Sequence, residues 1–362
     1  MDSGYSSEKS ASIISLDELL ETAPCNKTIG DNLIRAWNII NNSKYKKICC
    51  SISGGSDSDI VLDICTKVDI QNKITYVFFD TGVESKATKE HIRYLEKRYG
   101  IEIKVYKAWE YGMTIPNSCK KYGQPFLSKQ VSEWIERLQR HNFLWEDKTF
   151  DELLKEYPRC VAALKWWCNE WPKRKNGKES KFNIAYNKYL KEFMIINPPH
   201  FSISNKCCHY AKKLVAHTYK IDNKIDLSIT GVRKSEGGAR ATAYKNCYSH
   251  GEDDIDEYRP VFWYTNDDKR CYEQHYGIVH SKCYSQYGLK RTGCVGCPFG
   301  RTLEQELEVF KVHEPQLHKA VCNVFKDSYE YTRQYRDFYK KMNEQSKEKD
   351  TYQMSIFDFI QS

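Results

Sequence analysis

Three features of the sequence predict an α/β fold built on a doubly wound parallel sheet. Two continuous apolar runs, 47–52 (KICCSI) and 73–80 (KITYVFFD), are each followed by a segment of helical spacing. A Gly-Gly pair turns the first run into its helix, and strand patterning resumes at 224–231 (KIDLSITG) after a long helical stretch. Alternating strands and helices call for a parallel sheet covered on both faces, with ligands at the carboxyl ends of its strands.

Within this plan, DSDIVLDICTKV forms the helix after the first strand, and 84–100 forms an amphipathic helix closed by Gly100 as its C-cap. A third strand begins at 101, and a further one is expected at 257–263 (EYRPVFW). Cys49, Cys50 and Cys65 lie in apolar runs and read as small core residues. The expected organisation is a flexible N-terminus (1–24), a first core part (25–109), a helical insertion or lid (110–200) and a second core part with a cysteine group (201–300). A helical extension (301–350) and a C-terminal tail (351–362) complete it. Inside the insertion, WWCNEWPKRKNGK reads either as a surface that stacks on bases and pairs with phosphates or as a packed helix with a solvated loop.

Composition narrows the class. Hydrophobic residues make up 40% of the 362, enough for a core, and no run approaches the roughly 18 apolar residues of a membrane span. The start, MDSGYSSEKSAS, lacks the basic-then-apolar order of a secretory signal, so a cytoplasmic protein with no membrane partner is expected. Fifteen cysteines in such a chain point to metal or redox chemistry rather than disulfides. The net charge of +8 is compatible with an anionic partner.

The loop Ser53-Gly54-Gly55-Ser56-Asp57-Ser58 stands where a strand becomes a helix. Its glycines let backbone N–H groups approach an anion, and the helix N-terminus adds the positive end of its dipole. The loop lacks the GK[ST] ending of a Walker sequence, which points to another phosphate-binding family.

The hexapeptide resembles the PP-loop, SGGxDS, of N-type ATP pyrophosphatases and phosphoadenosine phosphosulfate (PAPS) reductases. FFDTGVES, with Asp80, Thr81 and Gly82, resembles the family's DTGxE segment, which grips the adenosine. TGVRKSEGGAR, with Gly231, Arg233, Glu236 and Arg240, resembles its GxRxxE motif, whose basic residues meet the phosphate or sulfate end. Both arginines offer planar, permanently charged forks suited to phosphoryl oxygens. The segment 120–143 is similar to a branch found in phage and mobile-element genomes, and Lys129 is a candidate phosphate contact there. The resemblance implies an adenine nucleotide alpha hydrolase-like (HUP) fold, ATP or PAPS as ligand, Mg²⁺, and catalytic roles for Asp57, Arg233 and Arg240.

The second constellation is cysteine-rich: Cys207-Cys208, then Cys283, and the CxxC pair Cys294 and Cys297 before a proline. Such thiolates chelate soft metals. The pairs resemble those that bind a 4Fe-4S cluster in adenylylsulfate reductases, and RTGCVGCPFG is similar to a PAPS reductase-like branch related to DNA phosphorothioation sulfur-transfer proteins. The five cysteines compete for four places, and zinc is the alternative metal. His209 and His280 read as ordinary surface or core histidines.

Together these expectations describe an ATP pyrophosphatase or adenylyltransferase that carries an iron-sulfur cluster and serves sulfur transfer or DNA or tRNA modification, with a cysteine desulfurase as sulfur donor. A true PAPS or adenylylsulfate reductase is the first alternative, although the chain has no ECG motif and its last cysteine is Cys322. A nucleotide-gated nucleic-acid-binding module with a structural cluster is the second. Finally, Gln353, Met354, Ile356 and Phe357 lie in an apolar tag after a polar stretch. They resemble the peptide by which DNA-processing proteins dock on the sliding clamp.

Overall fold

The computed structural model describes residues 15–111, 113–237 and 243–360, with side chains left aside at 111, 252 and 348–360. The apolar runs become the centre of one six-stranded sheet: β1 Ile48–Ser51, β2 Ile74–Asp80, β3 Ile103–Lys107, β4 Leu227–Thr230, β5 Tyr248–Ser249 and β6 Asp256–Tyr258. Their order is β3-β2-β1-β4-β6-β5, and every pairing is parallel except β5 with β6.

The chain therefore winds outward from β1 through β2 to β3, then returns to the other side of β1 as β4. Ser51 pairs with Thr230 at the last rung of that return. The direction of winding reverses between these two strands, which is where ligands bind in doubly wound sheets.

Burial on both faces explains why β1 reads as an unbroken apolar run: Ile48, Cys49 and Cys50 are fully buried. One core cluster joins β1 to Ile60, Leu62 and Ile64 of helix Ser56–Val68 and to Ile29, Leu33 and Ile40 of helix Lys27–Ile40. Each such aliphatic side chain contributes about 1.5–3 kcal/mol on burial. Helix Lys86–Tyr99 ends on Gly100 with φ of 64°, a left-handed cap that only glycine takes without strain.

Three features differ from the sequence reading. The strand expected to run to 263 stops at Tyr258, because Pro260 has no N–H to donate and constrains Arg259 before it. Leu16–Glu21, expected to be loose, is a helix with a Ser15–Glu18 capping box, and its Leu19 is fully buried. The tail is not separate from the helix before it: one helix runs from Lys326 to Ile360. The side chains of Gln353, Met354, Ile356 and Phe357 lie outside the described residues.

The chain divides into two compact units. The first holds 1–114, 210–295 and 308–317, with the sheet; the second holds 115–209, 296–307 and 318–362. The core of the second is aromatic. Trp166 and Trp167 are fully buried, and Trp167 meets Phe143 and Trp145 edge-on at 5.4 and 5.7 Å. Its indole N–H donates to the Glu146 carbonyl at 2.9 Å. These two tryptophans are packing residues rather than a stacking surface. Among the described residues no helix is long and apolar enough to cross a membrane.

Candidate functional site

The phosphate-binding loop leaves β1 and enters helix Ser56–Val68 through Gly55, whose position as N-cap carries no side-chain cap. The amides around the helix start have partners within the protein: the Gly55 N–H donates to Ser53 Oγ at 3.3 Å and the Ser58 N–H to the Gly55 carbonyl at 2.9 Å. Gly54 has φ of 67°, and a Cβ there would lie 2.8 Å from the Thr88 methyl. Gly231, at the end of β4, packs against the same helix start: a Cβ would lie 3.0 Å from the Ser58 nitrogen. The loop is braced from within by Ser58 Oγ, which accepts from the Ser53 N–H at 3.1 Å, and from outside by Tyr284, whose hydroxyl accepts from the Ser56 N–H at 3.1 Å.

Asp57, in the first helical turn, is held by two cations. Arg233 Nε lies 2.8 Å and Lys269 Nζ 2.9 Å from the same oxygen, Oδ1. Burial pushes the Asp57 carboxyl up, but a hydrogen bond with Glu236, Lys269 and the Arg233 charge together hold it below the usual carboxylate range. Arg233 is itself anchored by Ser235 and Asn266 at 2.9 and 3.1 Å. Both cations take Oδ1, which a divalent ion could therefore share only by displacing them.

Behind the loop lies a charge network that the motifs do not announce. Asp59 is fully buried, with His280 Nδ1 at 2.8 Å and His91 Nε2 at 3.0 Å. His280 Nε2 reaches Glu273 at 2.8 Å, and Glu273 stands 3.6 Å from Lys269. His280 is therefore not an ordinary core histidine. Burial pushes its pKa down, but hydrogen bonds to Asp59 and Glu273 outweigh that and raise it to about 9.

The DTGxE segment closes on itself. Thr81 donates from its amide at 2.9 Å and from its hydroxyl at 2.7 Å to Glu84, and the Gly82 amide donates to Asp80 at 2.9 Å. Lys89 pairs with Asp80 at 2.7 Å. Burial pushes the Glu84 carboxyl up, against the pull of Lys212 and Thr81.

The cysteines fall in different settings. In the first unit, Cys283 Sγ lies 3.1 Å from Ser85 Oγ, and Cys294 Sγ lies 3.7 Å from Thr81 Oγ. In the second, Cys207 is buried in hydrogen-bond contact with Cys119 and Cys208, and Cys297 is near enough to act on it electrostatically. The Cys119 contact raises the Cys207 pKa most, and burial adds to it. Cys119 belongs to no motif, and nothing in its spacing marks it.

Among the described residues no three His, Cys, Asp or Glu side chains are placed to hold one metal ion. A tetrahedral zinc needs its donors about 2.0–2.3 Å from a single point, whereas an iron-sulfur cluster spreads its thiolates over several irons. Cys119, Cys207, Cys208 and Cys297 are the thiols that the second unit brings together.

Of the other expected residues, Lys129 is exposed at the start of helix Lys129–Arg140 in the second unit, and its carbonyl accepts from Asn205 at 3.0 Å. Arg240 lies outside the described residues.

Residues 47–299 match the model of a family described as the phosphoadenosine phosphosulfate reductase domain. An uncharacterised 37.8 kDa protein of Escherichia phage 186 is 27% identical over 260 residues, covering 70% of this chain and 67% of its own length. Among solved structures, the PAPS reductase of Candida auris in its phosphate complex is similar at 14% identity, with 77% of this chain and 93% of that one covered and a TM-score of 0.40. The U34-tRNA thiolase NcsA of Methanococcus maripaludis with its [4Fe-4S] cluster is similar at 13% identity, with 87% and 80% covered and a TM-score of 0.38.

The His280 network carries a pH signature. The folded pKa of about 9 exceeds the ordinary 6.5, so its stabilisation is complete below pH 6.5 and is lost as the pH rises through 9. The melting temperature of the wild type is expected to fall over that window relative to a His280→Gln variant, which cannot titrate there. Parallel pH profiles for the two proteins would refute the pairing.

Proposed function

The chain belongs to the phosphoadenosine phosphosulfate reductase domain family, and from that premise we propose that it binds ATP at Ser53–Ser58 and transfers an adenylyl group. One observation carries the reading: a glycine loop and a helix start whose N-cap residue is glycine lie where the winding reverses between β1 and β4, with Arg233 and Lys269 held beside them. That is a phosphate-binding arrangement with permanent positive charge.

In the reaction, an acceptor oxygen attacks the α-phosphorus. The bond to the bridging oxygen of the β-phosphate breaks, pyrophosphate leaves with the electron pair, and the acceptor's proton passes to solvent. The protein's part is positioning and charge neutralisation. Backbone amides of the loop and Arg233 meet the phosphates, which bring Mg²⁺ with them. Asp57 keeps Arg233 in place, and the Asp80–Glu84 turn shapes the side where the adenosine is expected.

In modification of DNA or tRNA, sulfur comes from a donor such as a cysteine desulfurase, released from its persulfide as hydrosulfide by an external thiol that is oxidised to the disulfide. The hydrosulfide then attacks the activated acceptor atom; the bond to sulfur forms as the bond to the adenylylated oxygen breaks and AMP leaves. An iron-sulfur cluster is assigned to the grouped thiols Cys119, Cys207, Cys208 and Cys297; it would supply a sulfur-binding or redox-active centre. The tail residues Gln353, Ile356 and Phe357 support a DNA context through a sliding clamp.

Reduction of a sulfonucleotide is the alternative that the family raises. That chemistry needs a reactive thiolate. Cys322, the last cysteine, lies 3.4 Å from His318 within one helix, and burial raises its pKa, which disfavours the thiolate. The adenylyl-transfer reading is therefore preferred.

The full chain, purified without oxygen, should release pyrophosphate from ATP, with stimulation by added DNA or tRNA. Gly54→Ala should reduce the rate by at least about tenfold, through the strained backbone and the Thr88 contact. Reduction of PAPS without any pyrophosphate release from ATP would reverse the order of the two readings.

Metal analysis checks the cluster independently of activity. Iron and acid-labile sulfide are expected in the wild type and should be lost in Cys207→Ser and Cys297→Ser. Stoichiometric zinc without iron would overturn the assignment.

A further inference from the structure

The loop Ser53–Ser58 contains no basic side chain of its own. Helix Asn266–His275 brings one to it. Lys269 hydrogen-bonds to Ser56 Oγ, lies 2.9 Å from Asp57 Oδ1, and is mostly buried, with a side chain 15% exposed. The ammonium thus stands beside the side chains of the first two residues of helix Ser56–Val68. Arg233 pairs with the same oxygen at 2.8 Å, so Asp57 keeps one cation when Lys269 turns away.

We propose that Lys269 is a phosphate-binding residue of the nucleotide site and that Glu273, His280 and Asp59 position it. The assignment rests on the reading of Ser53–Ser58 as a nucleotide loop. A lysine suits the task, since its compact charge on a flexible stem can turn from Asp57 to an arriving phosphoryl oxygen.

The network behind it sets the local charge. Asp57, Asp59 and Glu273, with Glu236 hydrogen-bonded to Asp57, face Arg233, Lys269 and His280. Loss of the second proton of His280 makes the group more negative and opposes an anion. The groups facing His280 are Asp59 and Glu273, with the Tyr284 ring centroid at 5.8 Å, and His91 faces Asp59 from helix Lys86–Tyr99. Asp59 and Glu273 thus hold His280, and His280 in turn leaves Lys269 available.

The test is equilibrium binding of α,β-methylene ATP and of adenosine to the full chain by calorimetry. Lys269→Met should weaken binding of the ATP analogue by about ten- to hundredfold, the worth of one charge-assisted hydrogen bond, while adenosine binding is unchanged. Lys269→Arg should restore most of the loss. His280→Asn should weaken the analogue at pH 7.5 and flatten the decline that the wild type shows as the pH rises toward 9. Should Lys269→Met unfold, Lys269→Gln gives the same comparison with a polar side chain. Analogue affinity equal to wild type in a folded Lys269 variant overturns the assignment alone. A wild type that fails to bind the analogue overturns the nucleotide reading with it.

Discussion

The structure of the site depends on one buried ionic joint, the Asp57 carboxylate between Arg233 and Lys269. Asp57 belongs to the helix that follows β1, Arg233 to the loop that follows β4, and Lys269 to a helix after β6. Three segments far apart in sequence are thereby tied at the point where the sheet reverses direction. Removing the carboxylate would leave two cations facing each other with little solvent, which is costly. Its place in the loop motif reflects this structural demand as much as any contact with a nucleotide.

Around the joint, polar groups replace side-chain freedom with fixed geometry. Thr81 and Glu84 lock one rim, Ser58 and Tyr284 lock the loop, and Gly231 lets β4 approach the helix start to contact distance. A site pre-formed in this way spends little binding energy on ordering itself. The histidines behind it answer a different need, the compensation of Asp59, a carboxylate with no exposure at all.

Much of the sheet was legible because parallel strands buried on both faces write themselves as continuous apolar runs, as β1 and β2 do. The phosphate loop and the DTGxE turn were legible because glycine and acidic residues are needed there for backbone reasons. β5 was not, since two residues leave no periodicity, and β6 was read too long, to 263, because Pro260 ends it within an apolar run. Lys269 and His280 escaped because their partners Ser56 and Asp59 lie more than 200 residues away, and side-chain pairing at that distance leaves no local pattern. Glu273 is legible only through those two, which it joins. Cys119 escaped because its partner Cys207 lies on a distant segment. The tryptophan pair was ambiguous in sequence, because buried and stacking indoles look alike until their surroundings are known.

The central claim is that the crevice between the ends of β1 and β4 is a nucleotide site. A crystal structure of the full chain with α,β-methylene ATP tests it directly. The account predicts phosphate density within hydrogen-bond distance of the Gly55–Ser58 amides and the adenine on the side of Asp80–Glu84. Nucleotide density elsewhere on the molecule, with this crevice empty, would contradict it.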